Sequence, residues 1–188
     1  MVMTKNDDFI EISYEELEQY DGFSEDLMEK RCGDYAELIG SFLMEFSSLE
    51  HDLDVAIANL INERSHIQGY LVIKNLSVDE KIELLYTLAL PNITSFSKDV
   101  DYIKDELVDI RDKCKLINLL RNKIAHAKWY SLDEQGFVRV DIKTKKDDGF
   151  VRFKKYKITP KIIKIGIVAI RKWSNTLRNF NENIYTQI

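Results

Sequence analysis

The sequence predicts an all-α fold: an up-and-down helical bundle of four to five helices, with a small β-hairpin inserted before the last helix. Three observations carry this. Apolar residues recur at three- and four-residue steps over several long stretches, the spacing of one buried helix face. Only two prolines and seven glycines occur in 188 residues, so few positions break a helix. One stretch, about 137–158, switches to period two around a turn signal, which is the pattern of a strand pair. The length suits one domain, 24–188, preceded by an N-terminal arm, 1–23. It is enough chain to bury a core without staples.

The elements come in this order. Met1 to Phe9 reads as a frayed terminus, and Ile10 to Tyr20 as a short acidic helix or an arm. Ser24 suits an N-cap, because its hydroxyl accepts from a free amide of the first turn. Gly33 marks a break or kink. From Asp34 to about Arg64 the helical stripe is strong: Tyr35, Leu38, Phe42, Phe46, Leu49, Leu53, Ile57 and Leu60 share one face. Ser77-Val78-Asp79-Glu80 is a capping box, with reciprocal side chain to amide bonds. The helix it opens passes through Ile82, Leu85 and Leu88 and stops before Pro91. Asn92 to Phe96 is a connector. Ser97 begins a long helix through Leu107, Ile110, Cys114, Ile117, Leu120, Ile124 and Trp129. Its early acids, Asp99, Asp101, Asp105 and Glu106, suit the positive end of the helix dipole.

Phe137 to Lys143 then alternates with period two, as does Phe150 to Lys154, and Asp148-Gly149 between them is a hairpin turn signal. Beyond Lys154 the apolar phase slips to Tyr156 and Ile158, which predicts a bulge or the strand end. A lone hairpin is marginal, so it packs on the helices. Thr159-Pro160 is an N-cap with proline at the first helical position. The last helix runs through Ile162, Ile163, Ile167, Ile170, Trp173, Leu177 and Phe180.

Composition sets bounds on function. Apolar residues make up 45% and charged residues 31%, the balance of a soluble globular protein. Cys32 and Cys114 match no metal spacing and read as reduced thiols, which suggests a cytoplasmic setting. No secretory apolar region opens the chain. The longest apolar run, Ile162 to Ile170, contains Lys164 and is too short for a bilayer. The net charge of −5 hides an asymmetry. Residues 1–60 carry 16 acids against 3 bases, and residues 139–172 carry 12 bases against 3 acids. The basic segment suits phosphates. It suits equally well internal pairing with the acidic half, within the molecule or across a dimer.

One stretch combines chemistry with helical pattern: Leu119-Leu120-Arg121-Asn122-Lys123-Ile124-Ala125-His126-Ala127-Lys128-Trp129. On a helix Asn122 and His126 share a face, four residues apart. Arg121 lies about 100° to one side and is long enough to swing toward them. Leu120, Ile124 and Ala127 face inward, and the small Ala125 and Ala127 leave space beside the imidazole. Imidazole moves protons near neutral pH, and guanidinium stabilises charge on phosphate oxygens. The plain alternative is a helix C-terminus where Arg, Asn and His complement the dipole.

These residues resemble the Arg-Asn-x-x-x-His motif of the HEPN superfamily (higher eukaryotes and prokaryotes nucleotide-binding domains). Arg121, Asn122 and His126 match it residue by residue, and Ala125 and Ala127 match the small residues common around the histidine. The order of helices agrees from Asp34 to Phe180; the hairpin at 137–158 is an insertion that many members lack or vary. The resemblance implies a helical bundle that dimerises and sets two motif helices side by side. It implies a metal-independent RNA endonuclease with His126 as general acid/base, Arg121 on the phosphate and Asn122 orienting the site. The products are 2′,3′-cyclic phosphates. It also implies a toxin or anti-phage defence role, often beside a nucleotidyltransferase antitoxin. The partners expected are RNA and a second copy, with no membrane, no cofactor and no metal. The alternative is a non-catalytic HEPN-like dimerisation or interaction module. A metal enzyme built on Glu45, Glu50, His51 or Glu63 is more remote, since these carry no ligand signature.

Overall fold

A computed structural model of the chain describes residues 9–13, 25–62, 64–96, 100–144 and 151–186. Among them are five α-helices and a three-stranded antiparallel sheet. The elements run β1 (Phe9–Ser13), α1 (Glu25–Ile61), α2 (His66–Ile73), α3 (Val78–Phe96), α4 (Val100–His126), β2 (Phe137–Thr144), β3 (Val151–Lys157) and α5 (Pro160–Thr186). A single 3-10 turn, Trp129–Ser131, separates α4 from β2. The helical class and the small sheet before the last helix are those the sequence predicts. The expected cap at Ser24, helix start at Ser97 and turn at Asp148-Gly149 fall outside the described residues, as does Glu63.

The chain forms two compact units. The first comprises Met1–Leu43 and Leu120–Gly166. It holds the sheet, whose strand order is β1-β3-β2. The hairpin is therefore a three-stranded sheet, because Phe9–Ser13 is a strand rather than a helix or a loose arm. Phe-Ile-Glu-Ile-Ser alternates, and Ile12 is buried opposite Phe153 while Glu11 lies opposite Lys154. The third strand relieves the marginal stability of a two-stranded hairpin.

Nor does β3 end or bulge at Lys154; it continues to Lys157. The irregularity lies in β2, between Arg139 and Asp141. The sequence misled because a lysine occupies an inward position. Lys155 is 1% exposed and its Nζ donates to Asp133 Oδ2 at 2.8 Å, so a charge stands where the apolar alternation called for a hydrophobe. Also in this unit, Gly166 of α5 approaches Phe42 and Leu120 so closely that an added Cβ would lie 2.6 Å from the Phe42 ring.

The second unit comprises Met44–Leu119 and Ile167–Ile188. In it α3 and α4 run antiparallel: Asp79 accepts from Asn118 Nδ2 at 2.9 Å, Glu83 pairs with Lys115, and the Arg111 guanidinium lies 4.5 Å from the Tyr86 ring. The α1 and α5 segments run in the same direction, with Glu45 against Arg171 and Asp52 against Arg178. Lys81, only 6% exposed, is held between Glu50 and Asp54. The short α2 is seated by Gly69 against the Ala58 backbone.

The caps behave as expected. The Ser77 amide donates to Glu80 Oε2 at 2.7 Å and the Glu80 amide to Ser77 Oγ at 3.3 Å. The backbone amide bond from Ser77, then its hydroxyl, holds the Glu80 carboxyl below its usual range. The Ile162 amide donates to Thr159 Oγ1 at 3.3 Å, with Pro160 first in α5.

Three boundaries differ. Gly33 does not break α1, since the helix passes through it with open space around its Cα. Pro91 does not end α3, which continues to Phe96. Side chains take up carbonyls around the proline: Asn92 Nδ2 donates to Leu88 O at 3.3 Å, and Thr94 Oγ1 lies 3.1 Å from Leu90 O. The helix predicted from Ser97 to Trp129 ends at His126.

Candidate functional site

The motif residues fall on the last two turns of α4, within the first unit. Leu120 and Ile124 are buried and set the rotation of this segment. Arg121 and Asn122 are half-buried, and His126, the last helical residue, is exposed. Arg121 Nη1 donates to Asn122 Oδ1 at 3.1 Å, so the guanidinium and the amide are already coupled. Asn122 and His126 are one turn apart on one face. Ala125 is exposed and Ala127 half-buried, which keeps the imidazole uncrowded.

The residues just after α4 fix its end. Trp129 is not part of the helical stripe; its Nε1 donates back to Ile124 O at 3.1 Å and satisfies one of the terminal carbonyls. Its ring packs on Tyr35, centroid to centroid 5.4 Å, and its own carbonyl accepts from Cys32 Sγ at 3.5 Å. Burial, then the Asp133 and Asp34 carboxylates, push the Tyr35 phenol above its ordinary value. Lys123, 9% exposed, places its ammonium 4.4 Å from the Tyr156 ring centroid. The helix end thus rests on β3 through a cation–π contact.

Sequence reasoning missed the anchoring of the turn after the helix. The Lys128 amide donates to Arg139 O at 2.7 Å, and the Arg139 amide donates to Ser131 Oγ at 2.8 Å. Arg139 Nη2 donates to the Tyr130 hydroxyl. Nothing local in the sequence signals this, since Arg139 reads as one more strand residue; only the Tyr and Ser of Trp129-Tyr130-Ser131 hint at a polar clasp.

Of the twelve bases in 139–172, four pair with acids of the chain among the described residues. Arg152 and Lys154 approach Glu11 at 4.0 Å each, Lys155 binds Asp133, and Arg171 binds Glu45. Of the acids weighed as metal ligands, Glu45 binds Arg171 and Glu50 binds Lys81. His51 is exposed. Among the described residues no group of three or more His, Cys, Asp or Glu side chains is placed to hold a metal. No helix among them is long and apolar enough to cross a membrane. No protein-family model, curated protein or solved structure matches the chain.

Proposed function

We propose that this protein is a metal-independent RNA endonuclease of the HEPN type, acting as a homodimer in a toxin or anti-phage defence role. The observation that carries the reading is the exposed His126 at the end of α4, one turn beyond an Asn122 coupled to Arg121. An imidazole open to solvent can reach a polymer, and the guanidinium coupled to Asn122 can meet the charge of a phosphodiester.

The chemistry is transesterification. The RNA 2′-hydroxyl attacks its own phosphorus, forming the 2′-oxygen bond and breaking the bond to the 5′-oxygen. One imidazole takes the 2′-hydroxyl proton, and a second donates a proton to the departing oxygen. Arg121 stabilises the charge on the non-bridging oxygens. The products are a 2′,3′-cyclic phosphate and a 5′-hydroxyl. This stretch supplies one histidine per chain, so acid and base together call for two copies. Purified protein incubated with RNA and a chelator tests this: cleavage is expected, and Arg121→Ala is expected to abolish it. Sedimentation at micromolar concentration is expected to give a dimer; a monomer counts against the shared site.

A second reading is a non-catalytic HEPN-like dimerisation module. The internal pairing of Arg152, Lys154, Lys155 and Arg171 favours it, because it leaves fewer cations for an RNA backbone. Chelator-independent cleavage decides between the two.

A further inference from the structure

We propose that Tyr130 is a stacking platform for an unpaired base of single-stranded RNA, held in place by Arg139. The ligand class rests on the ribonuclease reading above, whereas the platform rests on its own geometry. Tyr130 is 46% exposed, yet it is not loosely held. Arg139, 9% exposed, donates from Nη2 to the Tyr130 hydroxyl, and its guanidinium carbon lies 5.1 Å from the Tyr130 ring centroid and 5.3 Å from that of Phe153. The backbone on either side is clasped to β2 by the Lys128 and Arg139 amides, and Ser131 Oγ donates to Lys128 O at 2.7 Å.

This reverses the usual disposition of a tyrosine. A tyrosine that serves packing buries its ring and leaves the hydroxyl near water. Here the hydroxyl is engaged by the buried Arg139 while close to half of the residue's surface is exposed. A ring fixed in advance loses little freedom on binding, which favours stacking of a flat ligand. The platform stands four residues after His126, so the two Cα atoms are at most about 14 Å apart. A strand with its reactive phosphate at His126 therefore has a flanking base within reach of Tyr130. The exposed Lys128 between them suits the intervening backbone.

The test uses the full chain and a single-stranded 2′-O-methyl RNA carrying 2-aminopurine, which lacks the attacking hydroxyl and cannot be cleaved. Affinity is read by anisotropy and stacking by quenching of 2-aminopurine. Tyr130→Ala is expected to weaken binding about tenfold or more and to remove the quench. Tyr130→Phe, which keeps the ring and loses only the hydroxyl bond, is expected to stay within about threefold. Wild-type protein that does not bind, or Tyr130→Ala that binds and quenches like wild type with an unchanged circular dichroism spectrum, overturns the platform. Tyr130-dependent binding without cleavage of unmodified RNA sinks the nuclease reading and leaves the platform standing.

Discussion

The indole nitrogen of Trp129 donates to the Ile124 carbonyl at 3.1 Å, and this bond closes the helix that carries Arg121, Asn122 and His126. The last carbonyls of a helix have no intrahelical donors, so the indole supplies one and holds the final turn. Trp129→Phe keeps an aromatic ring beside Tyr35 but removes the donor. It is expected to cost about 1 kcal/mol in denaturant unfolding and to speed amide exchange in the turn around His126. Unchanged exchange there separates the indole from the helix end.

Lys81 is held between Glu50 and Asp54 with 6% exposure. Lys81→Met leaves two acids facing a neutral side chain and is expected to destabilise by about 2–4 kcal/mol. Burial disfavours the ammonium, but the hydrogen bonds and charges of Asp54 and Glu50 outweigh it, and the pKa is raised. A group whose folded pKa lies above its unfolded value contributes fully below the unfolded value and loses that contribution as pH rises through the folded one. The contribution is therefore intact at neutral pH and lost above the ordinary lysine value of about 10.4. Unfolding measured from pH 7 to 11 is expected to show this alkaline loss in wild type and a smaller one in Lys81→Met. An equal slope in both contradicts it.

The two cysteines differ in reach. Cys114 is buried, and burial pushes its thiol up to about 12, so it offers almost no thiolate near neutral pH. Cys32 is half-buried with its Sγ on Trp129 O. A thiol reagent is expected to modify Cys32 in the native protein and Cys114 only after unfolding. Equal rates at both in native protein contradict the packing around Cys114.

Gly69 permits backbone contact between α2 and α1. A Cβ there would lie 2.4 Å from Ala58 Cα, a main-chain atom that cannot swing aside. Gly69→Ala is expected to cost about 1–3 kcal/mol, read as a fall in melting temperature. Gly33→Ala serves as the contrast, since nothing lies within 4 Å and the residue is exposed in α1. It is expected to stabilise by about 0.5–1 kcal/mol.

These glycines also show what a sequence reveals. Gly33 reads as a break or kink and is tolerated within α1, whereas Gly69, which carries no signal in the sequence, is a close contact. The difference is tertiary, set by what faces each Cα. Long helices were legible because Phe42, Phe46, Leu49 and Leu53 repeat with helical spacing, and the Ser77–Glu80 box because its partners are three residues apart. The strand at Phe9–Ser13 was obscured because its partner is far along the chain and the acids around it resemble a helical arm. The early end of α4 was obscured because Trp129 falls in phase with the stripe, although it bonds back as a cap. Lys155 hid the length of β3 by bringing a charge inside, matched by Asp133. Arg121, Asn122 and His126 were legible as residues the stripe does not need. The clasp of Tyr130 by Arg139 was not, since it joins two elements across a loop.

The most direct measurement is the rate of RNA cleavage by wild-type protein and by His126→Ala, side by side in chelator, with the product ends identified. The proposed function predicts 2′,3′-cyclic phosphate ends from the wild type and a fall of about 100-fold or more in the variant. The same products at the same rate from both proteins would contradict it.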